Sequence, residues 1–218
     1  MHGDARLHRS AQVKAALAAV STRLVLLCLA GVLAVTSAAE GAGPTEELKG
    51  AIDRVLEVLR DPTLAAAARA ADRQRAVRRI ADEIFDFEET ARRAMAQHWR
   101  ALTAPQRTEF VEVFSDLLER AYMSKIELYR DEEIQYPGER VEGDLAIVTT
   151  RIITKKGTEV PIDYRMLRRG ERWRVYDVSI EGVSLVANYR TQFNSVIRTS
   201  SYDELLRKMR SRVEEIRS

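Results

Sequence analysis

Residues 173–193, WRVYDVSIEGVSLVANYRTQF, constrain the fold most, because they read as a strand that hands over directly to a helix. Alternation sets Trp173, Val175, Asp177 and Ser179 on one side and Arg174, Tyr176, Val178 and Ile180 on the other. Both sides carry large apolar groups, which fits a central strand better than an edge. Glu181 and Gly182 then interrupt the period, glycine tolerating backbone angles closed to other residues. Beyond them Ser184 is placed to cap a helix in which Leu185, Tyr189, Phe193, Val196 and Ile197 recur at near-helical spacing. A sheet, a turn and an aromatic helix face therefore meet at one corner.

The segments before that corner are helical. Thr45, with Glu46 and Glu47 behind it, is placed to open a helix whose apolar face holds Leu48, Ile52, Val55, Leu56 and Leu59, and Asp61-Pro62 ends it. Residues 62–84 read as helix, with Val77, Ile80 and Ile84 inward and Arg73, Arg75, Arg78 and Arg79 on a solvated face. Asp86 and Glu89 have capping-box spacing, as do Thr103 and Gln106. The second box starts a long helix to about Tyr129, carrying Phe110, Phe114, Leu117, Leu118, Tyr122 and Ile126 at the helical period. It would run on the order of 37 Å and form the wall against which a sheet packs.

The period then changes to two. Residues 133–136, 145–154, 158–168 and 172–180 read as strands, and connections at Pro137-Gly138, Lys156-Gly157 and Arg169-Gly170 favour consecutive antiparallel pairing. Helices followed by a run of strands indicate an α+β fold, an antiparallel sheet of about four strands packed against several helices. Ser201 and Glu204 open a last amphipathic helix with Leu205, Met209, Val213 and Ile216.

The net charge of +2 is set by the N-terminal segment. Residues 1–39 hold Arg6, Arg9, Lys14 and Arg23 against Asp4, which leaves a remainder close to neutral and argues against nucleic acid as a partner. Those basic positions precede an apolar run over residues 24–35 and then Ser37, Ala38 and Ala39, the pattern of a secretory signal peptide. The expected organisation is therefore a leader over 1–39 and a single domain over 40–218. Cleavage would remove Cys28, the only cysteine, and two of the three histidines, so neither a disulfide nor a cysteine metal site is expected. Export without disulfides suits a bacterial periplasm.

Catalytic constellations are sparse. His98 stands beside Trp99 on an apolar stripe, the setting of a packed and hydrogen-bonded residue. No HExxH, CxxC or GxSxG pattern is present, and the Gly138 to Gly143 spacing of a phosphate loop fails where Asp144 and Leu145 replace lysine and serine. Asp163, Tyr164 and Asp177 could form a proton-transfer set, making the chain a small pocket enzyme of isomerase or dehydratase type. The plainer reading sends Asp163 outward by alternation and sets Asp177 to bind a turn or an arginine. Arg190 is matched either to a phosphate group or to Asp177 as a bridge.

Two segments carry a family resemblance. The run YDVSIEGVSLVANYRTQF, with FDFEETARRAMAQHWRALTAPQRTEFVEVFSDLLERAY over residues 85–122, resembles the MlaC or toluene-tolerance family of periplasmic phospholipid carriers. The resemblance covers most of the chain after the leader. It implies an NTF2-like or cystatin-like cone with a lipid-sized apolar cavity between sheet and helices, holding glycerophospholipid acyl chains. It also implies no catalytic residue, no metal and no cofactor besides that cargo, in a chain acting as a monomer. The implied role is lipid shuttling that maintains outer-membrane asymmetry. The implied partners are phospholipid, an inner-membrane ABC transporter with a substrate-binding ring, and an outer-membrane lipoprotein complex. Chosen by period, the lining would be Phe110, Phe114, Leu117, Val148, Ile162, Tyr164, Val175, Tyr189 and Phe193. A third possibility is an adaptor with a filled core whose apolar surfaces serve protein contacts alone.

Overall fold

The computed structural model describes residues 41–129 and 132–217, so the leader expected over 1–39 lies outside the described residues. The described chain runs α1 (Pro44–Arg60), a 3-10 turn (Ala67–Arg69), α2 (Ala70–Ile84), α3 (Phe87–Met95), a 3-10 segment (Ala96–Ala101) and α4 (Ala104–Ile126). Five strands follow, β1 (Glu133–Glu142), β2 (Leu145–Ile153), β3 (Glu159–Arg169), β4 (Arg172–Ile180) and β5 (Val183–Ser184), then α5 (Leu185–Thr199) and α6 (Tyr202–Arg217). The strands pair consecutively and antiparallel in the order β1-β2-β3-β4-β5. The fold is α+β, with a two-residue fifth strand added at the β4 side.

Local chemistry explains the helix starts. Asp86 Oδ1 accepts from Glu89 N at 2.9 Å, and Ser184 and Ser201 hydroxyls accept from Ala187 N and Glu204 N at 3.0 and 3.1 Å. Thr103 and Gln106 cap reciprocally, Thr103 N donating to Gln106 Oε1 at 2.9 Å. α1 departs from expectation. Gly43 caps it, because Pro44 fills the first helical position where a missing N–H is harmless, and Thr45 N instead donates to Glu139 Oε2 at 2.8 Å. α4 stops at Ile126, short of Tyr129, as Leu128 N and Tyr129 N turn back onto Lys125 O and Ile126 O.

Two bulges correct the expected strands. Pro137-Gly138 does not end β1; the register slips between Gln135 and Gly138, and the strand continues to a two-residue turn at Gly143 and Asp144. Proline has no N–H to offer the ladder, so a bulge is where a strand accommodates it. Gly143 supplies the positive φ, 59°, that this tight turn needs. In β4, Arg165 pairs with Asp177 and Met166 with Val175, leaving Tyr176 as the extra residue. Val178 and Ile180 are thereby moved onto the side of Val175, where unbroken alternation had placed them opposite. The Tyr176 bulge is held from outside: Thr90 Oγ1 donates to Tyr176 O at 2.9 Å, and the Arg93 guanidinium lies 3.9 Å over its ring.

The interior divides in two. Phe110, Phe114, Leu117 and Met95 pack with Phe193, Leu205 and Met209 in a cluster built from helices and the Ala96–Ala101 segment. The second cluster sets Leu48 and Ala51 of α1 and Ile80 and Ile84 of α2 against Ala146, Val148, Met166, Trp173 and Val175 of the sheet. The long helix is therefore not the wall of the sheet; α1 and α2 are. Arg78 pairs with Asp82 Oδ1 of its own helix at 2.8 Å and ties α2 to α4 through Asp116 Oδ1 at 3.1 Å and Glu119. Arg73 likewise meets Glu127 at 3.0 Å, so half of the arginine cluster expected in solvent joins α2 to α4.

Candidate functional site

Directly paired residues share a face of a sheet, and the pairing defines one apolar face throughout. Thr150 lies opposite Ile162, Val148 opposite Tyr164, Tyr164 opposite Val178 and Ile162 opposite Ile180. Ile134 lies opposite Ile152, and Tyr136 follows two residues along β1. One end of this face is the floor already described, sealed by α1 and α2, where Val148 and Val175 are fully buried. Toward the other end the apolar side chains continue, with Tyr136, Tyr164 and Val178 still packed against that cluster and Thr150 buried at 1% exposed. Ile134, Tyr136, Ile152, Tyr164, Val178 and Ile180 are all only half-buried, and Ile162 is 8% exposed. The face is greasy along its whole length and sealed along only part of it.

Its polar atoms are drawn out of water. Burial pushes the Tyr164 hydroxyl up to about 12, against a weaker opposing hydrogen bond with Thr150. Tyr136 rises beyond the usual tyrosine range for the same reason, with Asp53, Tyr164 and Tyr129 adding smaller unfavourable charges to its ionised form. Those neighbours place Asp53 of α1 and Tyr129, just beyond α4, near the Tyr136 hydroxyl. Val55 of α1 packs against the same cluster and is itself half-buried.

Of the nine side chains chosen by period, Val148, Ile162, Tyr164 and Val175 share this face despite the β4 bulge. The other five lie in the helical cluster: Phe114 meets Tyr189 and Phe193 with ring centroids 5.0 and 5.1 Å apart, and Phe110 meets Phe193 at 5.6 Å. Leu117, Tyr189 and Phe193 also line an open groove of about 500 Å³ between α4, α5 and α6. The nine thus fall into two groups. Sequence reasoning missed Tyr136, Val178 and Ile180; the first was hidden by reading Pro137-Gly138 as a turn and the others by unbroken alternation.

The charged candidates are used locally. Asp163 Oδ1 accepts from Thr149 Oγ1 at 2.7 Å, on the side of the sheet away from the apolar face. Asp177 accepts from Ser184 Oγ at 2.6 Å and from Val186 N at 3.0 Å, which pins the start of α5 to β4. Arg190 does not bridge to Asp177; its Nε donates to Arg93 O at 3.0 Å, because the Asp177 oxygens are engaged at the cap. His98 Nε2 meets Asn194 Oδ1 at 3.0 Å. Among the described residues no cluster of three or more His, Cys, Asp or Glu side chains is placed to hold a metal, and no helix is long and apolar enough to cross a membrane.

Residues 49–211 match the family model described as MlaC protein. The intermembrane phospholipid transport system binding protein MlaC of Haemophilus influenzae is 26% identical over 129 residues, covering 57% of this chain and 60% of its own. A toluene tolerance protein of Pseudomonas putida is 24% identical over 130 residues, covering 59% of this chain and 60% of its own. The chain thus spans about 60% of the length of these curated relatives. Among solved structures, a phospholipid-binding protein from Ralstonia solanacearum in complex with a phospholipid superposes with a TM-score of 0.73 at 26% identity, covering 81% of this chain and 100% of that one.

Proposed function

Because the chain belongs to the MlaC family, we propose that it is a periplasmic carrier, not an enzyme, that holds glycerophospholipid acyl chains and shuttles the lipid between an outer-membrane lipoprotein complex and an inner-membrane ABC transporter. The observation that carries this reading is the continuous apolar sheet face, fully buried at Val148 and Val175 and only half-buried toward Ile134, Ile152 and Ile180. The acyl chains lie along Ile162, Tyr164 and Val178, bounded by Tyr136 and by Val55 of α1, and the sealed floor at Val148 and Val175 sets their depth. Phe110, Phe114 and Phe193, packed ring against ring, brace the helical layer behind.

Energetics favour a shuttle over a pump. Two chains of about 16 carbons, at roughly 0.8 kcal/mol per methylene, represent about 25 kcal/mol of burial relative to water. That exceeds the ceiling of roughly 18–21 kcal/mol for non-covalent affinity. The working reference is therefore a bilayer, where the chains are already dry. A face that matches hydrocarbon makes transfer near-neutral, and small preferences at each membrane complex set direction, which in turn preserves outer-membrane asymmetry.

Native mass spectrometry of the exported, purified chain tests the reading. The expected spectrum shows protein carrying phospholipid, and Ile162→Asp or Tyr164→Asp carrying none while keeping the native circular dichroism. Wild-type protein that is empty after purification, and stays empty after incubation with phospholipid vesicles, refutes it.

A further inference from the structure

We infer that the groove between α4, α5 and α6 is a second binding site, separate from the sheet face, for a single-chain anionic amphiphile such as a long-chain carboxylate or a monoacyl phosphate. The inference stands on the lining of the groove and not on the phospholipid reading. Leu117, Phe193, Val196, Leu205, Met209 and Ile216 give it an apolar base. Four of these are buried against one another in the helical cluster, so the base is preformed, and the Met209 thioether adapts to a chain laid on it.

Charge selects the headgroup. Arg120, Lys208 and Arg212 line the groove, and no carboxylate does. Arg120 has no ion-pair partner among the described residues. Lys208 Nζ stands 3.8 Å from Glu204, a carboxylate already held by Arg207, and Arg212 Nη1 lies 2.9 Å from Glu215 in an exposed pair of the kind that contributes little. Tyr189, raised above its ordinary value chiefly by burial, remains a neutral hydroxyl donor on the same wall.

Size selects the tail. The lining residues of α6 from Leu205 to Ile216 extend the trough about 16 Å along that helix. A methylene takes about the 30 Å³ of a liquid water molecule, so a chain of sixteen carbons fills roughly 480 Å³. The groove holds about 500 Å³, room for one such chain laid along it.

The test is calorimetric titration of the purified full chain with palmitate, lysophosphatidic acid, hexadecanol and inorganic phosphate. Palmitate and lysophosphatidic acid both bind, with the tighter of the two identifying the preferred headgroup; hexadecanol binds at least about tenfold more weakly, and phosphate alone does not register. Arg120→Gln weakens palmitate about tenfold and Ala121→Trp, which fills the trough, abolishes it, whereas Ile162→Asp leaves it unchanged. Phospholipid content by native mass spectrometry stays at the wild-type level in both groove variants. Absence of palmitate binding, equal affinity for hexadecanol, or loss of palmitate in Ile162→Asp overturns the proposal. So does loss of phospholipid in Arg120→Gln, which would merge the groove with the sheet-face site.

Discussion

Replacing Asp177 by alanine should loosen the corner at which β4 becomes α5, and the structure allows the cost to be worked out. The carboxylate accepts from the Ser184 hydroxyl at 2.6 Å and from the Val186 amide at 3.0 Å. Ser184 keeps a second role, since its oxygen also accepts from Ala187 N, but Val186 is 4% exposed and its N–H would be stranded. A hydrogen bond to a charged acceptor contributes about 1.5–3 kcal/mol, and a buried donor left unsatisfied costs about 1–3 kcal/mol. Arg165 adds little, at 3.9 Å with its side chain 48% exposed. Because these contributions overlap, Asp177→Ala should lose about 2–4 kcal/mol. Asp177→Asn, whose amide oxygen still accepts from Val186 N, should lose about half as much. Urea unfolding should show a lower midpoint at unchanged m, and at about 2–4 °C per kcal/mol the melting point should fall by roughly 5–15 °C. Hydrogen exchange at the Val186 amide should accelerate by more than the global destabilisation requires. A loss under about 0.5 kcal/mol for alanine, or equal losses for alanine and asparagine, would refute the reasoning.

Three further outcomes follow from the same contacts. The Tyr164 hydroxyl is raised to about 12 from an ordinary 10, so its neutral form is favoured in the folded chain and stability is present below pH 10 and lost as pH rises toward 12; between pH 9 and 11 this amounts to about 1.4 kcal/mol, which Tyr164→Phe should remove from alkaline urea titrations. Glu89 works in the opposite direction: burial pushes its carboxyl up, but Arg92 and Arg93 together hold it below its ordinary 4.5, so its contribution is present above pH 4.5 and lost as pH falls through the lower folded value. Glu89→Gln should cost about 1–3 kcal/mol at pH 7 and flatten the acid limb of a stability profile. Phe114→Ala, at a side chain only 1% exposed among Phe110, Tyr189 and Phe193, should cost about 3–5 kcal/mol by chemical denaturation.

What the sequence made legible follows from how far each rule reaches. Caps at Asp86, Thr103, Ser184 and Ser201 were readable because the partners sit three residues apart and the chemistry is complete within one turn. The α+β class was readable from the change of period after α4. The partition of the interior was not: the apolar stripe of α4 announces that it will be buried but not against what, and it went to α5 and α6, leaving the sheet to α1 and α2. The bulges at Pro137-Gly138 and Tyr176 were equally hidden, since one extra residue is invisible until the partner strand is known, and the second brought Val178 and Ile180 onto the face of Val175. Val148, Ile162, Tyr164 and Val175 were still grouped correctly because β2 and β3 pair without interruption and Val175 precedes the slip.

The claim that most needs testing is that acyl chains rest on the half-buried end of the sheet face. Isoleucine methyl spectra of the chain loaded with a phospholipid bearing a nitroxide in mid-chain would read it directly. Ile152, Ile162 and Ile180 should broaden strongly, while Ile80 and Ile84 under the sealed floor and Ile216 at the α6 groove stay sharp. Broadening centred on Ile216, with Ile162 and Ile180 unaffected, would contradict the account.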